Sequence, residues 1–246
     1  AASLNLILGH GGMVSFGHAL YYGLGAYTVG ILWEHFRLAE PIFGLIPGSN
    51  ALLVTLPAAM AVAGVAAAVI GALSLRTSGV QFIMITLAFA QMGFFLFVGL
   101  KAYGGDDGLL IRRRNIAPGL DLRDQNQLYW LCLGFLVAWL LLQWRIVESR
   151  FGRVLEGIRQ NERRMAAIGI ATYRYKLVGF VIAGMGCGLA GALTANYLRF
   201  VSPDLMAWQK SGEIMVMVIL GGVGTLLGPV VGAAALVGME YVLGGI

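Results

Sequence analysis

Few residues in this chain of 246 have the types and spacing that chemistry demands. Asp106 and Asp107 lie in the run Gly104-Gly105-Asp106-Asp107-Gly108. Adjacent carboxylates there lack the alternate spacing and closing glutamate of a calcium loop. The three histidines, His10, His18 and His35, stay in the N-terminal region, with no HExxH spacing to hold zinc. No glycine-rich loop ends in Gly-Lys-Ser/Thr to cradle a nucleotide phosphate. Cys132 and Cys187 both sit in apolar runs, which points to free thiols and not to a disulfide framework or a thiolate metal site. The expectation is a chain with no catalytic residue, no metal and no cofactor of its own.

The residues that do form a pattern are basic. Arg145, Arg150, Arg153, Arg159, Arg163, Arg164, Arg174 and Lys176 are eight of the seventeen basic residues, gathered after long charge-free runs. Positive charge beside spanning helices is retained on the cytoplasmic side, so residues 149–170 are expected to form a cytoplasmic loop. Phe151, Val154, Leu155 and Ile158 fall on one helical face, with Arg150, Arg153, Glu156 and Arg159 on the other. Ser149 stands where a cap belongs, and Asn161 and Gly169 are break residues. The loop reads as a short amphipathic helix, a second short turn and a return to the membrane at Tyr175-Lys176. Such a helix suits either an anionic lipid surface or a groove on a partner.

The elements that position these residues follow from composition. Hydrophobic residues make up 59% of the chain and charged ones 12%, with mean hydropathy +0.80, whereas soluble domains carry roughly a quarter charged. The solvent is lipid. The 36 glycines suit membrane helices, whose backbones approach through small residues. The net charge of +5 is spread along the edges of apolar segments, which fits an anionic membrane and not nucleic acid. We expect one all-α polytopic transmembrane domain over residues 1–246, with about six to eight membrane segments, some broken or re-entrant. The apolar start without Met and the apolar end at Gly244-Gly245-Ile246 lead us to expect that terminal segments are missing.

Residues 51–75, 80–100, 128–144 and 177–198 are the clear spans. Residues 1–33 are too long for one upright helix, so Gly9-His10-Gly11-Gly12 should end a half-helix that leads into a span from about Val14. The run 214–239 is interrupted by Gly221-Gly222-Val223-Gly224 and by Gly228-Pro229, giving one kinked span or two shorter ones. Parity puts residues 74–79 on the side of the basic loop and residues 37–50, 101–127 and 199–212 on the other. Lys101, Arg112-Arg113-Arg114 and Arg123 in the middle one of these run against the charge rule.

Polar residues inside apolar spans are costly and so carry functional weight. Ser15, Thr86 and Asn196 are read as interhelical hydrogen bonds. His18 and Gln91 are candidates for a translocation path, as are Gly221 and Gly222, because unwound backbone at membrane depth must be buried or line a cavity. Gly184, Gly188, Gly191, Ala192 and Ala195 are spaced for a helix contact. Glu213 and Glu240 sit at the edges of the last apolar run, which argues against an ion-coupled secondary transporter.

Four stretches together resemble the LivM-type permeases of bacterial branched-chain amino-acid ABC importers. They are SLNLILGHGGMVSFGHALYYGLGAYTVGIL (residues 3–32), RTSGVQFIMITLAFAQM with the later GGDDGL, SRFGRVLEGIRQNERRMAAIGIATYRYKLVGFVIAG (149–184), and FVSPDL followed by EIMVMVILGGVGTLLGPVVGA (213–233). Tyr103 stands where that family's pattern leads one to expect Thr. The resemblance implies a multi-pass protein of the bacterial inner membrane that pairs with a second, homologous permease as a heterodimer. It also implies two cytoplasmic ATP-binding subunits and a periplasmic substrate-binding protein. On this view Phe151, Gly152, Arg153, Leu155, Ile158, Arg159, Asn161 and Glu162 dock on an ATPase, the apolar stripe filling its groove. Gly104, Gly105, Asp106 and Asp107 would form a periplasmic loop that meets the binding protein or the path entrance. Urea, short amides or a monosaccharide are the alternative cargoes.

Overall fold

The computed structural model describes residues 1–39, 48–116 and 124–244. Parts of the expected loops 37–50 and 101–127, with Arg123, and the terminal Gly245-Ile246 lie outside the described residues. The chain is nearly all helix. A short α1 (Ala2–Asn5) runs into a π-helical turn, Leu6–His10, which is the expected half-helix. The following span begins at His18, not near Val14, as α2 (His18–Leu38); residues 11–17 between them are irregular.

Four helices are long and apolar enough to cross a membrane: α3 (Leu52–Ser74), α4 (Val80–Gly99), α5 (Gln125–Glu148) and α7 (Thr172–Leu198). Between α5 and α7 lies α6 (Arg150–Ala167). The last apolar run forms two helices, α8 (Trp208–Gly221) and α9 (Gly228–Gly244). The described sheet is one antiparallel pair, β1 (Leu109–Leu110) against β2 (Phe200–Val201).

The core is α7 packed between α2 and α3. A Cβ on Gly191 would sit on the Tyr22 carbonyl oxygen, one on Gly188 would meet Ala63, and one on Gly184 would meet Ala67. The small-residue pattern thus lets three backbones close together, replacing the hydrophobic drive that lipid cannot supply. α3 runs antiparallel to α7, because Ala67 faces Gly184 and Ala63 faces Gly188. Ser74 therefore ends on the side where α7 begins, next to α6, as parity required.

The opposite end is tied by Asn115. Its backbone N–H donates to Asn196 Oδ1 at 3.0 Å, its side chain bonds Thr55, and Ile111 N–H donates to the Arg199 carbonyl at 2.8 Å. Arg112, Arg113 and Arg114 are held at this end, so basic charge flanks both faces of the bundle.

One expected outer loop does not stay outside. Val201 packs near Gly30, Met206 against Gly23, and Ser211 Oγ accepts from Ala19 N–H at 3.0 Å. Residues 201–211 therefore descend along α2 by about 16 Å, at 1.5 Å per helical residue. The sequence offers no periodicity to announce this descent, which passes through a 3₁₀ turn at Pro203–Met206 into α8, and its partner face on α2 is legible only in three dimensions.

Substitution of Gly191 by Ala should destabilise the detergent-solubilised chain by about 2 kcal/mol, as overpacking against backbone does. Gly134→Ala, where a Cβ meets nothing within 4 Å, should leave the thermal unfolding midpoint unchanged.

Candidate functional site

α6 begins as its sequence directs. Ser149 Oγ accepts the Gly152 N–H at 3.4 Å, and the helix breaks at Asn161, whose φ of −160° and ψ of 98° are extended. Asn161 Oδ1 then accepts the Arg164 N–H at 3.0 Å and restarts the helix. Gly169, at φ +87°, makes the turn into α7.

The apolar stripe faces inward. Gly152, Leu155 and Ile158 are buried, Leu155 lies against Gly179, and Phe151 stacks on Tyr175 with ring centroids 5.6 Å apart. These residues seal the end of their own bundle and are not free to fill a partner's groove. The exposed residues are Arg150, Arg153, Glu156, Arg159, Gln160, Asn161 and Glu162. Glu162 also pairs with Lys176 of α7 at 2.5 Å.

Arg159 turns toward the membrane. Its Nη1 donates to the carbonyl of Gly9, in the π-helical turn. Gly12, at φ +65°, leaves room for the Arg159 stem, since a Cβ there would come 2.9 Å from Arg159 Cγ. A Cβ on Gly9 would come 2.6 Å from the Gly224 N, so the two glycine breaks touch. Asn5 completes the junction: its Nδ2 donates to the Thr225 carbonyl at 2.8 Å and its Oδ1 accepts the Gly224 N–H at 2.9 Å. α8 and α9 form a hairpin in which Gly221 and Gly232 meet backbone to backbone. Gly222 spans the turn at φ +99°, and its carbonyl accepts the Thr225 hydroxyl at 2.9 Å. A cleft of about 310 Å³ opens beside this junction, lined by Gly12, Ser78, Gly79, Arg159, Asn161 and Lys176 among others.

The membrane-embedded polar residues divide. Asn196 and Thr86 do not bond a second helix as expected but tie their helices to irregular backbone, Asn196 Oδ1 accepting Asn115 N–H at 3.0 Å and Thr86 Oγ1 accepting Phe16 N–H at 3.3 Å. Ser15 accepts the nearby Gly17 N–H at 3.2 Å. His18 is fully buried, neither ring nitrogen has a hydrogen-bond partner, and its ring meets the edges of Tyr21 and Phe180. Gln91 is half-buried on α4, away from the junction that gathers Gly221 and Gly222.

A second cavity, about 370 Å³, lies between α1, α2, α5, α7 and α8. Its walls include Phe135, Leu136, Leu189 and Leu193, and its charged members are Lys210 and Glu213, ion-paired at 2.5 Å. Tyr22 also lines it and donates to Thr194 Oγ1 at 2.8 Å. Glu213 thus lies beside the interior instead of at a segment edge. Neither Asn5 nor Lys210 was singled out in the sequence. The rule that flagged Ser15 would have found Asn5, whereas Lys210 needed the descent of residues 201–211.

At the far end the glycine run is architectural. Gly104 and Gly108 have φ of +89° and +77°, and a Cβ on Gly108 would come 2.6 Å from the Val201 carbonyl. The turn lays β1 on β2 and leaves Asp106 and Asp107 exposed. Among the described residues no His, Cys, Asp and Glu group could hold a metal ion.

Because His18 makes only ring-edge contacts, His18→Phe should keep the melting temperature of the purified chain equal or raise it. Relief of an unpaired buried imidazole offsets the added volume. A fall of several degrees would mean that a ring nitrogen is bonded in the folded protein.

The pattern of the family described as "Branched-chain amino acid transport system / permease component" matches residues 1–246. The LivM permease of Salmonella typhimurium, named for high-affinity branched-chain amino acid transport, is 25% identical over 95% of this chain and 58% of its own length. The LivM of Escherichia coli K12 aligns to the same extent. LsrC of Klebsiella pneumoniae, named for autoinducer 2 import, is 32% identical over 45% of this chain and 34% of its own. The chain spans about three-fifths of the length of the LivM proteins it matches. No solved structure matches it.

Proposed function

The chain belongs to the branched-chain amino acid transport system permease family, and on that premise we propose that it is a transmembrane subunit of an ABC importer in the bacterial inner membrane. The observation that carries the reading is α6. It is a basic helix laid across one end of a multi-pass bundle, its apolar side spent on its own chain and its charged side outward. One of two cytoplasmic ATP-binding subunits docks on that charged side, and ATP is hydrolysed within those partner subunits. A second, homologous permease completes the path, and a periplasmic binding protein delivers cargo at the end carrying Asp106 and Asp107.

The large exposed apolar faces of α4, α5 and α9, with Phe95, Trp130 and Val231 among them, fit lipid and the partner permease. Docking rests on Arg153, Glu156, Asn161 and Glu162. Arg159 supports the joint from within, and Phe151, Gly152, Leu155 and Ile158 hold the helix in place.

The cargo we assign is a branched-chain amino acid. An ammonium and a carboxylate side by side, Lys210 and Glu213, against walls of Phe135, Leu136, Leu189 and Leu193, match a zwitterion with an apolar side chain. Urea or a monosaccharide would leave that charge pair and those walls unused. A zwitterion exchanges with the existing, half-exposed ion pair, carboxylate to Lys210 and ammonium to Glu213, so both charges keep a partner.

Two measurements test the reading. Arg153→Glu, on the exposed face, should cut co-purification of the ATP-binding subunit by about tenfold, the cost of reversing a charge at an interface, with membrane insertion unchanged. Full retention would remove α6 as the docking element. In proteoliposomes holding the complete importer, Glu213→Gln should lower leucine uptake by about tenfold. Uptake of autoinducer 2 or a monosaccharide, with none of leucine, would replace the cargo.

A further inference from the structure

We propose that Arg159 and Asn5 are positioning residues of the transport cycle, linking α6 in series to the α8–α9 hairpin through the break at Gly9. The inference rests on the reading that α6 receives the ATP-binding subunit, and it concerns what happens to a movement of α6 once received.

Three observations carry it. First, the one hydrogen bond described from α6 into the N-terminal break is Arg159 to the Gly9 carbonyl, charge-assisted and so among the stronger kinds. Its stem lies over Gly12, whose φ of +65° disfavours any side chain there. Second, Gly9 abuts Gly224 without room for a Cβ, so displacement of one break presses on the other. Third, Asn5 is only 3% exposed and uses both ends of its amide on the hairpin turn, donating to Thr225 and accepting from Gly224.

Two such bonds fix both the position and the orientation of a turn that lipid cannot solvate. The path is contiguous: α6, Arg159, Gly9, then Gly224 and Asn5, then the hairpin. The hairpin is held least by its own chain, since α9 is exposed along most of its length and only Gly228, Pro229 and Gly232 of it are buried.

A nucleotide that binds one state better shifts the whole assembly only if the movement reaches the path. Leu155 and Ile158 hold α6 to the ends of α5 and α7, but neither reaches the hairpin turn; Arg159 does.

The test uses the complete importer in proteoliposomes, with leucine uptake and ATP hydrolysis measured on the same preparation. Arg159→Gln and Asn5→Ala should retain the ATP-binding subunit and its hydrolysis, while leucine taken up per ATP falls by about tenfold, in the usual range of allosteric coupling. The double variant should be no worse than the poorer single one, because links in series fail together. An unchanged uptake per ATP, or losses that multiply in the double variant, would overturn the link.

Spin labels at exposed Gln160 and Val231 add a readout that folding defects alone would not mimic. The distance between them should change more on ATP binding in Arg159→Gln than in the native sequence, because α6 then moves without the hairpin; an equal change in both would refute the proposal. If the native chain fails to bind the ATP-binding subunit, the reading of α6 fails, not the link.

Discussion

An interrupted helix leaves amide and carbonyl groups that need partners, and this chain interrupts its helices twice near the same point. Side chains from α6 and α1 supply those partners. The Gly9 carbonyl takes a proton donor from Arg159, and the Gly224 N–H and Thr225 carbonyl take both ends of the Asn5 amide. The glycines at 9, 12 and 224 follow from this, because any side chain at the contact would hold the backbones apart. The basic loop is part of the same solution, since its first helix places the guanidinium just before the Asn161 break.

The rest of the bundle is arranged so that those breaks can meet. α7 lies against α2 and α3 through glycine and alanine, which holds α2 in the centre with Tyr21, Tyr27 and Val29 fully buried. With α2 central, the chain on either side of it is drawn inward. Residues 1–12 approach the junction from one side, and residues 201–211 descend α2 from the other to start α8. That descent also brings Lys210 and Glu213 to the wall of the larger cavity, a placement that a straight reading of apolar runs puts outside.

Periodicity and charge made much of this legible. The Ser149 cap, the Asn161 break and the Gly169 turn were each visible as residue types at boundaries, and the structure forms all three. The α7 contact was visible as small residues a turn apart. What was not legible depends on which face of an element meets what. The stripe of Leu155 and Ile158 has the same spacing whether it enters a partner or covers its own bundle, and only the packing against Gly179 distinguishes them. Asn5 was hidden for a different reason: one amide in an apolar run carries no period, and its two partners lie about 220 residues away.

The two faces of α6 then carry separate tasks, and their separation explains why the helix is both amphipathic and basic. An apolar side that filled a partner's groove would have to leave the bundle to do so, exposing the ends of α5 and α7. By keeping Leu155 and Ile158 on its own chain, the helix stays seated whether or not a partner is present, and specificity passes to the charges of Arg153, Glu156 and Glu162. Charged contacts at a surface orient more than they bind, which suits the docking proposed for this face. Arg159 belongs to the seated side despite its charge. The residue stays exposed at the cleft, yet its Nη1 is spent on the carbonyl of Gly9, which has no other described side-chain donor.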